Sequence, residues 1–574
     1  MPPRDVEGAP PSFLAYTPVA LAFGTSGLRG LVKDITDLEA YINVKAALRY
    51  MVASGDVETG SVVVVAGDLR PSTDRILVAT VQAVEDVGCV VEYAGKIPTP
   101  ALLCRAIATR RAGVMVSGSH IPFDRNGIKL NKSRGEILKS DEGGISREVE
   151  RLRAEEYGRT AESSAFDRFG MLKRPPPMPP VNPAAEDGFV ERYLASFPRG
   201  GLSGQRIVVY QHSAVGRDLL ARTLRGLGAE VVEAGRSETF VAIDTESITD
   251  EQLDRLEALA IAAESNGAPV KAIVSTDGDS DRPLVAAVLP ASAVGAGERR
   301  VRFMPGDLLG LIVAEYLAAD AVAIPISAND AVERRLRELS VTLAKTKIGS
   351  PYVIAALDEL RASGRYERIV GWEANGGFLL ESTLALEAGP LAALPTRDST
   401  LPIVANLFAA VRESVDLPTL WDRLPARFGR SGLLDHVPVE VSSAIVARLV
   451  PPGEVTEVEF DASGKATDCS RSAAGGAALG PSVAGVWLEL RETLERVFTP
   501  ALGFDAVARI NVLDGTRVHF RNGDVAHVRP SGNAPQLRIY ANSDSQSRAD
   551  AIVELGLREP DGILRALIAL VQGH

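Results

Sequence analysis

Short β-rich runs alternate with helical patterns along most of this chain. Residues 61–66 and 112–116 are apolar runs with the length of a buried strand, and 75–87 has the pattern of a helix. The further predicted strands lie at 89–92, 206–210, 271–275, 321–326 and 368–371. Regular alternation of strand and helix predicts an α/β fold whose parallel sheets carry helices on both faces.

The bulk composition limits the classes of function. The chain has 574 residues, enough for several domains at roughly 100–200 residues each, and 46% of them are apolar. A formal net charge of −12 argues against a general nucleic-acid binder. The three cysteines lack metal-binding spacing, which suits a reducing cytoplasm. We find neither a secretory signal nor a run of about 18 apolar residues, so we expect a cytoplasmic protein without a membrane span.

Two segments share a glycine pattern at a constant offset of 140 residues. VGCVVEYAG places Gly88 and Gly95 where LGAEVVEAG places Gly228 and Gly235. Each copy predicts a helix, a glycine turn, a strand and a second glycine turn. Glycines of this kind also recur in unrelated α/β proteins, so the pattern alone leaves a true repeat open.

Composition also marks candidate boundaries. The proline-rich stretch 173–185 is typical of a linker. The segment 472–485 is rich in Gly, Ala and Ser, and we expect a mobile insertion there. From Asp435 onward, strands and helices are separated, with hairpin turns predicted at 514–515 and 522–523. This pattern predicts a smaller C-terminal α+β domain.

The most informative loop follows the strand predicted at 112–116. It reads Ser-Gly-Ser-His-Ile-Pro over 117–122. Small residues, a Ser-His pair and a proline would place the Ser119 hydroxyl on an exposed, stiffened turn. That is a suitable position for a side chain that carries a phosphoryl group.

A second loop offers a candidate metal site. Asp277, Asp279 and Asp281 alternate directly after the strand predicted at 271–275. Three carboxylates on a tight loop can converge on one hard cation such as Mg²⁺, with Arg282 as a local counter-charge. A solvated acidic turn would show the same spacing. A calcium loop is also conceivable, although the glutamate that closes an EF-hand loop is absent.

Two later loops could bind a sugar phosphate. In GWEANGG (371–377), Glu373 and Asn375 could contact adjacent sugar hydroxyls. In RPSGNAP (529–535), Arg529, a hydroxyl and open backbone N–H groups could form a phosphate cradle. Ordinary turns between strands would also explain both loops.

Two arginines near the start of the chain are further candidates for ligand binding. Arg29 lies between glycines in FGTSGLRG, and Arg70 follows the strand predicted at 61–66. Either could be held against a ligand, or could form a structural salt bridge with a neighbouring carboxylate.

Taken together, these loops resemble the α-D-phosphohexomutase family, which contains phosphomannomutases, phosphoglucomutases and phosphoglucosamine mutases. The motifs that carry the resemblance are FGTSGLRG (23–30), GSHIPFDRNGIK (118–129), DGDSDR (277–282), EANGG (373–377) and RPSGNAPQLR (529–538). The resemblance implies three related mixed α/β domains and a C-terminal TATA-box-binding-like α+β domain around one cleft. We expect domain I with the phosphoserine loop at 1–183, domain II with the metal loop at 184–300, domain III with the sugar loop at 301–430, and domain IV with the phosphate loop at 431–574.

The resemblance also implies roles for individual residues. The implied catalytic residues are Ser119, as the phosphorylated serine, and Lys129, His120 and Arg29. The implied Mg²⁺ ligands are Asp277, Asp279 and Asp281, together with a phosphate oxygen on Ser119. The implied substrate-binding residues are Arg282, Lys347, Gly349, Glu373, Asn375, Arg529, Ser531, Gly532, Asn533 and Arg538.

Three positions depart from the family pattern. Ile121 replaces the usual asparagine of the serine loop, Asn375 replaces the usual serine of the sugar loop, and 533–535 reads Asn-Ala-Pro instead of Thr-Glu-Pro. These changes leave the chemistry possible but weaken any transfer of sugar specificity. The extra length relative to typical members is assigned to the segments around 155–185 and 455–485.

The expected reaction interconverts a hexose 1-phosphate and a hexose 6-phosphate, with Mg²⁺ and a hexose 1,6-bisphosphate as cofactors. The similarity of 118–129 and 424–428 to bacterial phosphomannomutase-like sequences favours mannose, while phosphoglucomutase or dual specificity stays open. A non-catalytic sugar-phosphate sensor and a Mg²⁺-dependent phosphatase are alternatives of other classes. We expect a small-molecule sugar phosphate as the only partner, without nucleic acid or membrane, in a monomer or homodimer.

Overall fold

The computed structural model describes residues 13–24, 27–246, 248–265, 267–295, 297–470, 477–530 and 535–572. These residues form two compact units. The first unit comprises residues up to Ala319 together with Gly349–Leu420, and the second comprises Asp320–Ile348 together with the residues from Trp421 onward. Within the described ranges, every helix is too short or too polar to cross a bilayer.

The strands are β1 (Ala22–Phe23), β2 (Leu28–Leu31), β3 (Val62–Gly67), β4 (Val90–Lys96), β5 (Ala112–Val116), β6 (Arg125–Lys132), β7 (Gly135–Glu136), β8 (Arg206–His212), β9 (Glu230–Arg236), β10 (Ala272–Thr276), β11 (Pro283–Val288), β12 (Val301–Phe303), β13 (Ala321–Pro325), β14 (Thr342–Thr346), β15 (Ile369–Trp372), β16 (Phe378–Leu380), β17 (Leu384–Ala385), β18 (Pro390–Leu391), β19 (Leu394–Asp398), β20 (Phe428–Leu434), β21 (Glu457–Phe460), β22 (Ala466–Asp468), β23 (Ala477–Ala478), β24 (Val507–Asn511), β25 (Thr516–Phe520), β26 (Val525–Pro530) and β27 (Leu537–Ser543).

The helices are α1 (Asp37–Ala53), α2 (Thr73–Asp86), α3 (Thr99–Thr109), α4 (Lys139–Tyr157), α5 (Ala184–Ser196), α6 (Arg217–Gly226), α7 (Asp250–Glu264), α8 (Gly306–Tyr316), α9 (Asp330–Glu338), α10 (Ser350–Ala362), α11 (Thr400–Arg412), α12 (Leu417–Trp421), α13 (Val439–Leu449), α14 (Pro481–Val497), α15 (Gln546–Leu557) and α16 (Ile563–Gln572).

The first sheet has the strand order β1-β2-β6-β5-β3-β4, with β7 paired to β6. Strand β3 lies inside the sheet between β5 and β4, and its residues Val63, Val64 and Val65 are fully buried, as β-branched residues are in a strand covered on both faces. Strands β4 and β5 run parallel to β3, whereas β6 runs antiparallel to β5. The sheet is therefore mixed, as the family resemblance implied. The parallel pairing expected from the alternation holds for β3, β4 and β5, and the short connection after β5 returns the chain antiparallel as a hairpin.

The second sheet repeats this arrangement. Its order is β12-β11-β10-β8-β9, with β9 and β10 parallel to β8 and β11 antiparallel to β10. The 140-residue pattern falls on the equivalent helix-turn-strand units α2-β4 and α6-β9. Gly88 and Gly228 both have positive φ, +81° and +99°, which explains why glycine ends each of these helices. The helix, glycine turn and strand that each segment predicts are present at both positions, in sheets of equivalent strand order.

The first unit also contains an antiparallel set of strands, β15, β16 and β19, and the ribbon β17-β18. Trp372 at the end of β15 is fully buried, stacks on Phe378 and donates its indole N–H to the Asp307 carbonyl at 3.0 Å. Strand β19 leads directly into α11. Strands β15 and β19 lie on either side of β16 and end at the same edge of the sheet, because Trp372 and Asp398 both pair with Phe378.

The second unit contains the parallel pair β13-β14 with α9, and an eight-stranded sheet of order β20-β27-β26-β25-β24-β21-β22-β23. All pairings in this larger sheet are antiparallel. The hairpins predicted at 514–515 and 522–523 connect β24, β25 and β26, as expected. Trp487, Leu490 and Leu494 of α14 pack into the core of this unit.

Helix α14 corrects one expectation. We predicted a mobile insertion at 472–485, but β23 and the first turn of α14 occupy part of that segment. Pro481 at the first helical position supports the helix start despite the Gly- and Ala-rich composition. The residues 472–476 lie outside the described ranges.

The domain limits at 183, 300 and 430 stay a prediction. Strand β12 of the second sheet lies just beyond the limit at 300, and β20 begins at Phe428 and crosses the limit at 430. The motif 424–428 has a structural role in the second unit. The buried Arg427 donates to Asp330 at 2.8 Å and to Asp544 at 2.5 Å.

Candidate active site

Strand β5 carries the chain to Ser119, whose backbone adopts a left-handed conformation with φ of +56°. The Ser119 hydroxyl donates to Asp277 Oδ2 at 2.7 Å and lies 3.4 Å from His120 Nδ1. The serine and the acidic loop, 158 residues apart in sequence, are therefore in direct contact. We predicted an exposed turn, but Ser119 is only 1% exposed, because the acidic loop packs over it.

The buried guanidinium of Arg70 holds the serine loop. It donates to four backbone carbonyls: Ser119 at 2.7 Å, Ile121 at 2.5 Å, Pro122 at 2.7 Å and Arg125 at 3.2 Å. A fork of five N–H donors suits such a convergent set of acceptors. Arg70 is thus a structural residue of the loop, one of the two alternatives that the sequence left open.

Asp68 completes this support from the end of β3. Its carboxylate pairs with Arg70 at 3.1 Å and accepts hydrogen bonds from Ser117 Oγ at 2.8 Å and Thr73 Oγ1 at 2.6 Å. The Ser117 hydroxyl in turn accepts from the Ser119 backbone N–H at 2.8 Å. Every step of this chain of contacts fixes the backbone that presents Ser119.

Gly278 permits the contact between the two loops. A Cβ atom at this position would lie 2.6 Å from the Ser119 carbonyl oxygen and 3.1 Å from the Phe240 ring. The Phe240 ring also covers the Arg70 guanidinium, at 4.0 Å from ring centroid to Cζ. Only a residue without a side chain lets the acidic loop approach this closely.

The three aspartates form a buried carboxylate cluster, with one oxygen from each lying within 4.8 Å of the others. Asp279 Oδ2 accepts from Lys129 Nζ at 2.5 Å and from Thr99 Oγ1 at 2.6 Å. Asp281 Oδ2 accepts from Lys129 Nζ at 2.7 Å and pairs with Arg397 at 2.9 Å.

In Asp279 and Asp281, the other carboxylate oxygen accepts no hydrogen bond from any described residue. Asp279 Oδ1 and Asp281 Oδ1 are buried and have no hydrogen-bond partner among the described residues. Asp277 differs, because its Oδ1 accepts from the backbone N–H groups of Asp281 and Arg282 while its Oδ2 faces Ser119. Open carboxylate oxygens in a dry, preorganised loop are the donor set that a hard cation requires, so the cluster is suited to a metal ion.

The charges of the cluster support the same conclusion. Burial and the neighbouring carboxylates of Asp281 and Asp279 raise the pKa of Asp277 well above its usual value. Burial alone would also raise the pKa of Asp279, but the contact with Lys129 outweighs it and lowers the pKa. A positive charge beside Asp277 would remove the remaining repulsion.

Lys129 projects from β6, opposite Met115 of β5. Burial lowers the pKa of its ammonium group, but Asp279 and Asp281 outweigh burial and raise the pKa above its usual value. Lys129 is therefore a buried cation held between two carboxylates.

His120 and Arg29 lie next to this cluster. Burial, with Arg282 and Arg29 nearby, lowers the pKa of His120 to about 2, so its imidazole is neutral at physiological pH. Burial, Arg282 and Arg397 lower the pKa of Arg29 to about 10, so Arg29 stays charged. Within the described ranges, the Arg29 side chain has neither a hydrogen bond nor an ion pair, whereas its backbone pairs within β2.

The other positive charge of the acidic loop is Arg282. Its Nε lies 3.7 Å from Asp281 Oδ1 and 3.9 Å from Asp277 Oδ2, and the residue is buried. The predicted counter-charge of the loop is thus in place.

The sugar loop also lies in the first unit, after β15. The loop is a tight turn in which the Gly376 N–H donates to the Glu373 carbonyl at 2.9 Å. The Glu373 carboxylate accepts from Arg397 at 3.1 Å. The Asn375 amide oxygen accepts from the Gly377 N–H at 2.9 Å, so it stabilises the turn itself. Gly349 precedes α10 with φ of +129°.

The remaining predicted residues lie in the second unit. Arg529 and Arg538 are direct cross-strand neighbours on β26 and β27. The Nε atoms of both are buried and have no hydrogen-bond partner in the described part of the chain, although Asp514 lies 3.7 Å from Arg529 Nε. Like charges placed opposite each other are destabilising unless an anion binds between them. Lys347 is exposed, and Ser531, Gly532 and Asn533 lie outside the described residues.

Sequence reasoning missed three residues of the site. Thr99 and Arg397 contact the acidic loop, and Glu136 accepts from Thr396 Oγ1 at 2.7 Å just before Arg397. The run Thr-Arg-Asp-Ser at 396–399 lies at the carboxyl end of β19, and the serine, acidic and sugar loops also begin at the end of a strand. That position at a strand end was the available signal.

The Ser119 hydroxyl is hydrogen-bonded to Asp277 of the candidate cation site. The neutral imidazole of His120 and the guanidinium groups of Arg29 and Arg282 lie near it. This arrangement suits phosphoryl transfer. The mixed sheets and this site together define a multi-domain α/β enzyme of phosphoryl chemistry.

Family models match three parts of the chain. They are described as phosphoglucomutase/phosphomannomutase alpha/beta/alpha domain I at 20–156, alpha/beta/alpha domain III at 305–428, and the C-terminal domain at 489–555.

Whole-length relatives agree with these models. A phosphomannomutase of Sinorhizobium fredii is 35% identical over 93% of this chain and 98% of that protein. A phosphomannomutase of Salmonella muenchen is 35% identical over 93% of this chain and 94% of that protein. A phosphoglucosamine mutase of Gluconacetobacter diazotrophicus is 31% identical over 65% of this chain and 76% of that protein.

Among solved structures, a phosphoglucomutase/phosphomannomutase family protein from Burkholderia thailandensis shares the fold. The TM-score is 0.63 at 17% identity, covering 96% of this chain and 97% of that one. The chain therefore belongs to the α-D-phosphohexomutase family, and it is a phosphohexomutase, an isomerase that acts by phosphoryl transfer.

Proposed function

We propose that this phosphohexomutase prefers mannose phosphates. It would interconvert mannose 1-phosphate and mannose 6-phosphate through a phosphoserine at Ser119 and a hexose 1,6-bisphosphate. The relatives that span nearly the whole chain bear the name phosphomannomutase, which favours mannose. The contact of the Ser119 hydroxyl with Asp277 at 2.7 Å carries the proposal of a phosphoserine, because it places the acceptor oxygen at the candidate cation site.

Asp277, Asp279 and Asp281 would hold Mg²⁺, since their open oxygens match its preference for carboxylate ligands. Bound Mg²⁺ would offset negative charge on the transferring phosphoryl group. The phosphoserine contributes a further oxygen donor to the same loop.

Phosphoryl transfer begins at phospho-Ser119. The bond between Ser119 Oγ and phosphorus breaks while the free hydroxyl oxygen of the hexose monophosphate forms its own bond to phosphorus. The hydroxyl gives up its proton, and Ser119 is left unphosphorylated. After the bisphosphate reorients, its other phosphate returns to Ser119, which restores the enzyme and releases the isomer.

Two residues divide the proton and charge roles. His120 has a neutral ring next to Ser119 Oγ, so it is suited to hydrogen-bond the reacting oxygen, but its low pKa makes it a weak base. Lys129 is held as an ammonium, so it is suited to stabilise charge, to give a proton to Ser119 Oγ as the phosphoryl group leaves, and to recover the proton that the substrate hydroxyl loses. These contacts support Lys129 as the residue that transfers the proton, with His120 assisting at the reacting oxygen.

Arg29 and Arg282 are assigned to the transferring phosphate, and Glu373 to sugar hydroxyls. In the second unit, Arg529, Arg538, Ser531, Gly532 and Asn533 are assigned to the non-reacting phosphate. The buried Nε atoms of Arg529 and Arg538, which have no hydrogen-bond partner in the described part of the chain, support this assignment.

The first test is Ser119→Ala. Intact-mass measurement of the wild type should show a fraction that carries one phosphate, and Ser119→Ala should lack it. Mutase activity of the variant should fall by about 10³-fold or more, because the covalent step is lost. Ser133→Ala, on the turn after β6, is the matched control and should keep the phosphate and the activity. Full activity in Ser119→Ala would refute the proposal.

The second test compares kcat/KM for mannose 1-phosphate, glucose 1-phosphate and glucosamine 1-phosphate. Mannose should give the highest value. A higher value for glucose would reassign the specificity to phosphoglucomutase. Release of inorganic phosphate without isomerisation would indicate a phosphatase, and binding without turnover would indicate a sensor.

A further inference from the structure

The tetrapeptide Thr-Arg-Asp-Ser at 396–399 contacts several parts of the first unit. Ser399 Oγ donates to the Ser280 carbonyl of the acidic loop at 2.7 Å. The Asp398 carboxylate accepts from the Tyr193 hydroxyl and from the Thr400 N–H at the start of α11. These contacts fix the backbone on both sides of Arg397.

Arg397 connects two loops that carry different parts of the site. Its Nη1 donates to Glu373 Oε2 at 3.1 Å, and its Nη2 pairs with Asp281 Oδ2 at 2.9 Å. Its side chain is only 3% exposed, so both contacts lie away from water. A buried guanidinium between two carboxylates is a strong, directional pair of interactions.

The contact with Asp281 decides which of its oxygens is available. Oδ2 is occupied by Arg397 and by Lys129, whereas Oδ1 has no hydrogen-bond partner among the described residues. Without Arg397, only Lys129 would hold Oδ2, so the carboxylate would be less firmly oriented. Arg397 therefore helps to keep Asp281 Oδ1 available as a cation ligand.

Gly377 makes room for this bridge. A Cβ atom at Gly377 would lie 2.7 Å from Arg397 Cγ and 2.8 Å from Arg397 Cδ. The glycine at the end of the sugar loop thus lets the arginine pass between Glu373 and the acidic loop.

We propose that Arg397 is a positioning residue that couples the sugar-binding Glu373 to the metal ligand Asp281. It orients both carboxylates at once, so that the sugar loop and the cation site are fixed relative to each other. This inference rests on the proposed function, because it assigns a role within the same site. Both terminal nitrogens of Arg397 are engaged by carboxylates, which makes it a support for these residues and not a substrate contact.

The first measurement is Mg²⁺ binding by titration calorimetry on the full-length, dephosphorylated protein, which needs no turnover. In Arg397→Gln the Kd for Mg²⁺ should rise about 10–100-fold, as is typical when a residue that orients a metal ligand is removed. Arg397→Lys should give an intermediate value, since an ammonium restores the charge but not the two-pronged geometry. Arg206→Gln removes another buried arginine, at the start of β8, and should leave the Kd within about twofold of wild type.

The second measurement is the double-mutant cycle of Arg397→Gln and Glu373→Gln on kcat/KM. Coupling predicts that the double variant is less impaired than the product of the two single effects. Gly377→Ala, which displaces Arg397 while keeping its charge, should weaken Mg²⁺ binding in the same direction.

An unchanged Kd for Mg²⁺ in a folded Arg397→Gln protein would overturn the inference, and so would independent effects in the cycle. If Arg397→Gln does not fold, Arg397→Lys replaces it in the Mg²⁺ titration and in the double-mutant cycle, and an unchanged Kd or independent effects would again overturn the inference. Absence of mutase activity in the wild type would instead refute the proposed function, and the calorimetric comparison would still test Arg397.

Discussion

Among single residues, Arg70 shows how much of the site depends on a side chain that takes no part in the chemistry. It satisfies four carbonyls of the serine loop, and it is itself held by Asp68 and the Phe240 ring. A loop with a left-handed serine has little intrinsic preference for its conformation. The buried guanidinium supplies that preference.

Arg70→Lys should therefore cost both stability and function. An ammonium has three donors and cannot reach all four carbonyls and Asp68, so buried acceptors would be left without partners. The free energy of unfolding should drop by about 2–4 kcal/mol, and the phosphorylated fraction of Ser119 should fall. Urea unfolding and intact mass measure these quantities. Arg75→Lys, at a half-buried arginine of α2, is the control and should change both only slightly.

Gly278 makes a sharper prediction about distance. In Gly278→Ala the new Cβ would meet the Ser119 carbonyl at 2.6 Å, so one loop must shift. Activity should drop by about 10²-fold, because small displacements of reacting groups are costly. Gly188→Ala on α5, where a Cβ meets nothing within 4 Å, should instead keep full activity and raise the free energy of unfolding by about 0.5–1 kcal/mol. Equal activity in the two variants would contradict the proposed loop contact.

At the scale of elements, the carboxyl ends of parallel strands position the chemistry. Strands β8 and β10 are parallel neighbours, and the acidic loop follows β10. At the end of β8, His212 places its Nε2 2.8 Å from the Thr276 carbonyl, the last residue before that loop. The two strand ends are thus tied together just below the aspartates.

This tie should make the protein sensitive to mild acid. Burial lowers the pKa of His212 to about 4, against about 6.5 in the unfolded chain. Between these values the unfolded chain binds a proton that the folded chain excludes, so stability falls as the pH is lowered. Between pH 7.5 and 5 the loss from this residue should be about 2 kcal/mol. In His212→Asn, the loss of unfolding free energy between pH 7.5 and 5, measured by urea unfolding, should be smaller than in the wild type by that amount. An unchanged loss would argue against His212 as the source of the acid sensitivity.

The elements were predictable where local pattern determines them. Among the seven strands predicted from the sequence, 112–116 has its observed limits and five others agree to within two residues, because apolar β-branched runs report burial directly. The strand predicted at 89–92 ends four residues short of β4, and the other observed strands were not predicted individually. Pairing direction was not predictable, since β6 and β11 return antiparallel through connections whose geometry no local pattern reveals. The prediction of a mobile insertion at 472–485 overlooked β23 and the start of α14, because the Gly-, Ala- and Ser-rich composition outweighed Pro481 as a signal for a helix start.

The site divides in the same way. The aspartates lie on one short loop, so spacing alone revealed them. Thr99 and Arg397 reach that loop from elements 180 and 116 residues away, so only the folded chain brings them there. The buried state of Ser119 likewise depends on packing against a distant loop.

For the molecule as a whole, net charge and local charge differ. The chain carries −12 overall, yet Lys129, Arg282 and Arg397 surround the three buried aspartates. Burying so many ionised groups together is costly unless the set is complete. A divalent cation would complete it.

Mg²⁺ should therefore stabilise the folded protein. At a concentration of about 100 times its Kd, the gain is about 2.7 kcal/mol, which should appear as a higher Tm by calorimetry and should reverse with EDTA. Asp281→Asn should remove this response, whereas Asp468→Asn in the second unit should retain it. If the Tm of the wild type does not change when Mg²⁺ is added, the assignment of the cluster as a cation site would be contradicted.

Arg529 and Arg538 are cross-strand neighbours on β26 and β27, and their proposed role in binding the non-reacting phosphate has a practical consequence at the bench. If they bind that phosphate, sulfate or inorganic phosphate in a purification buffer would compete with a sugar phosphate. Kinetic constants for this enzyme should therefore be measured in a buffer without oxyanions, or the apparent affinity will describe the salt as much as the substrate.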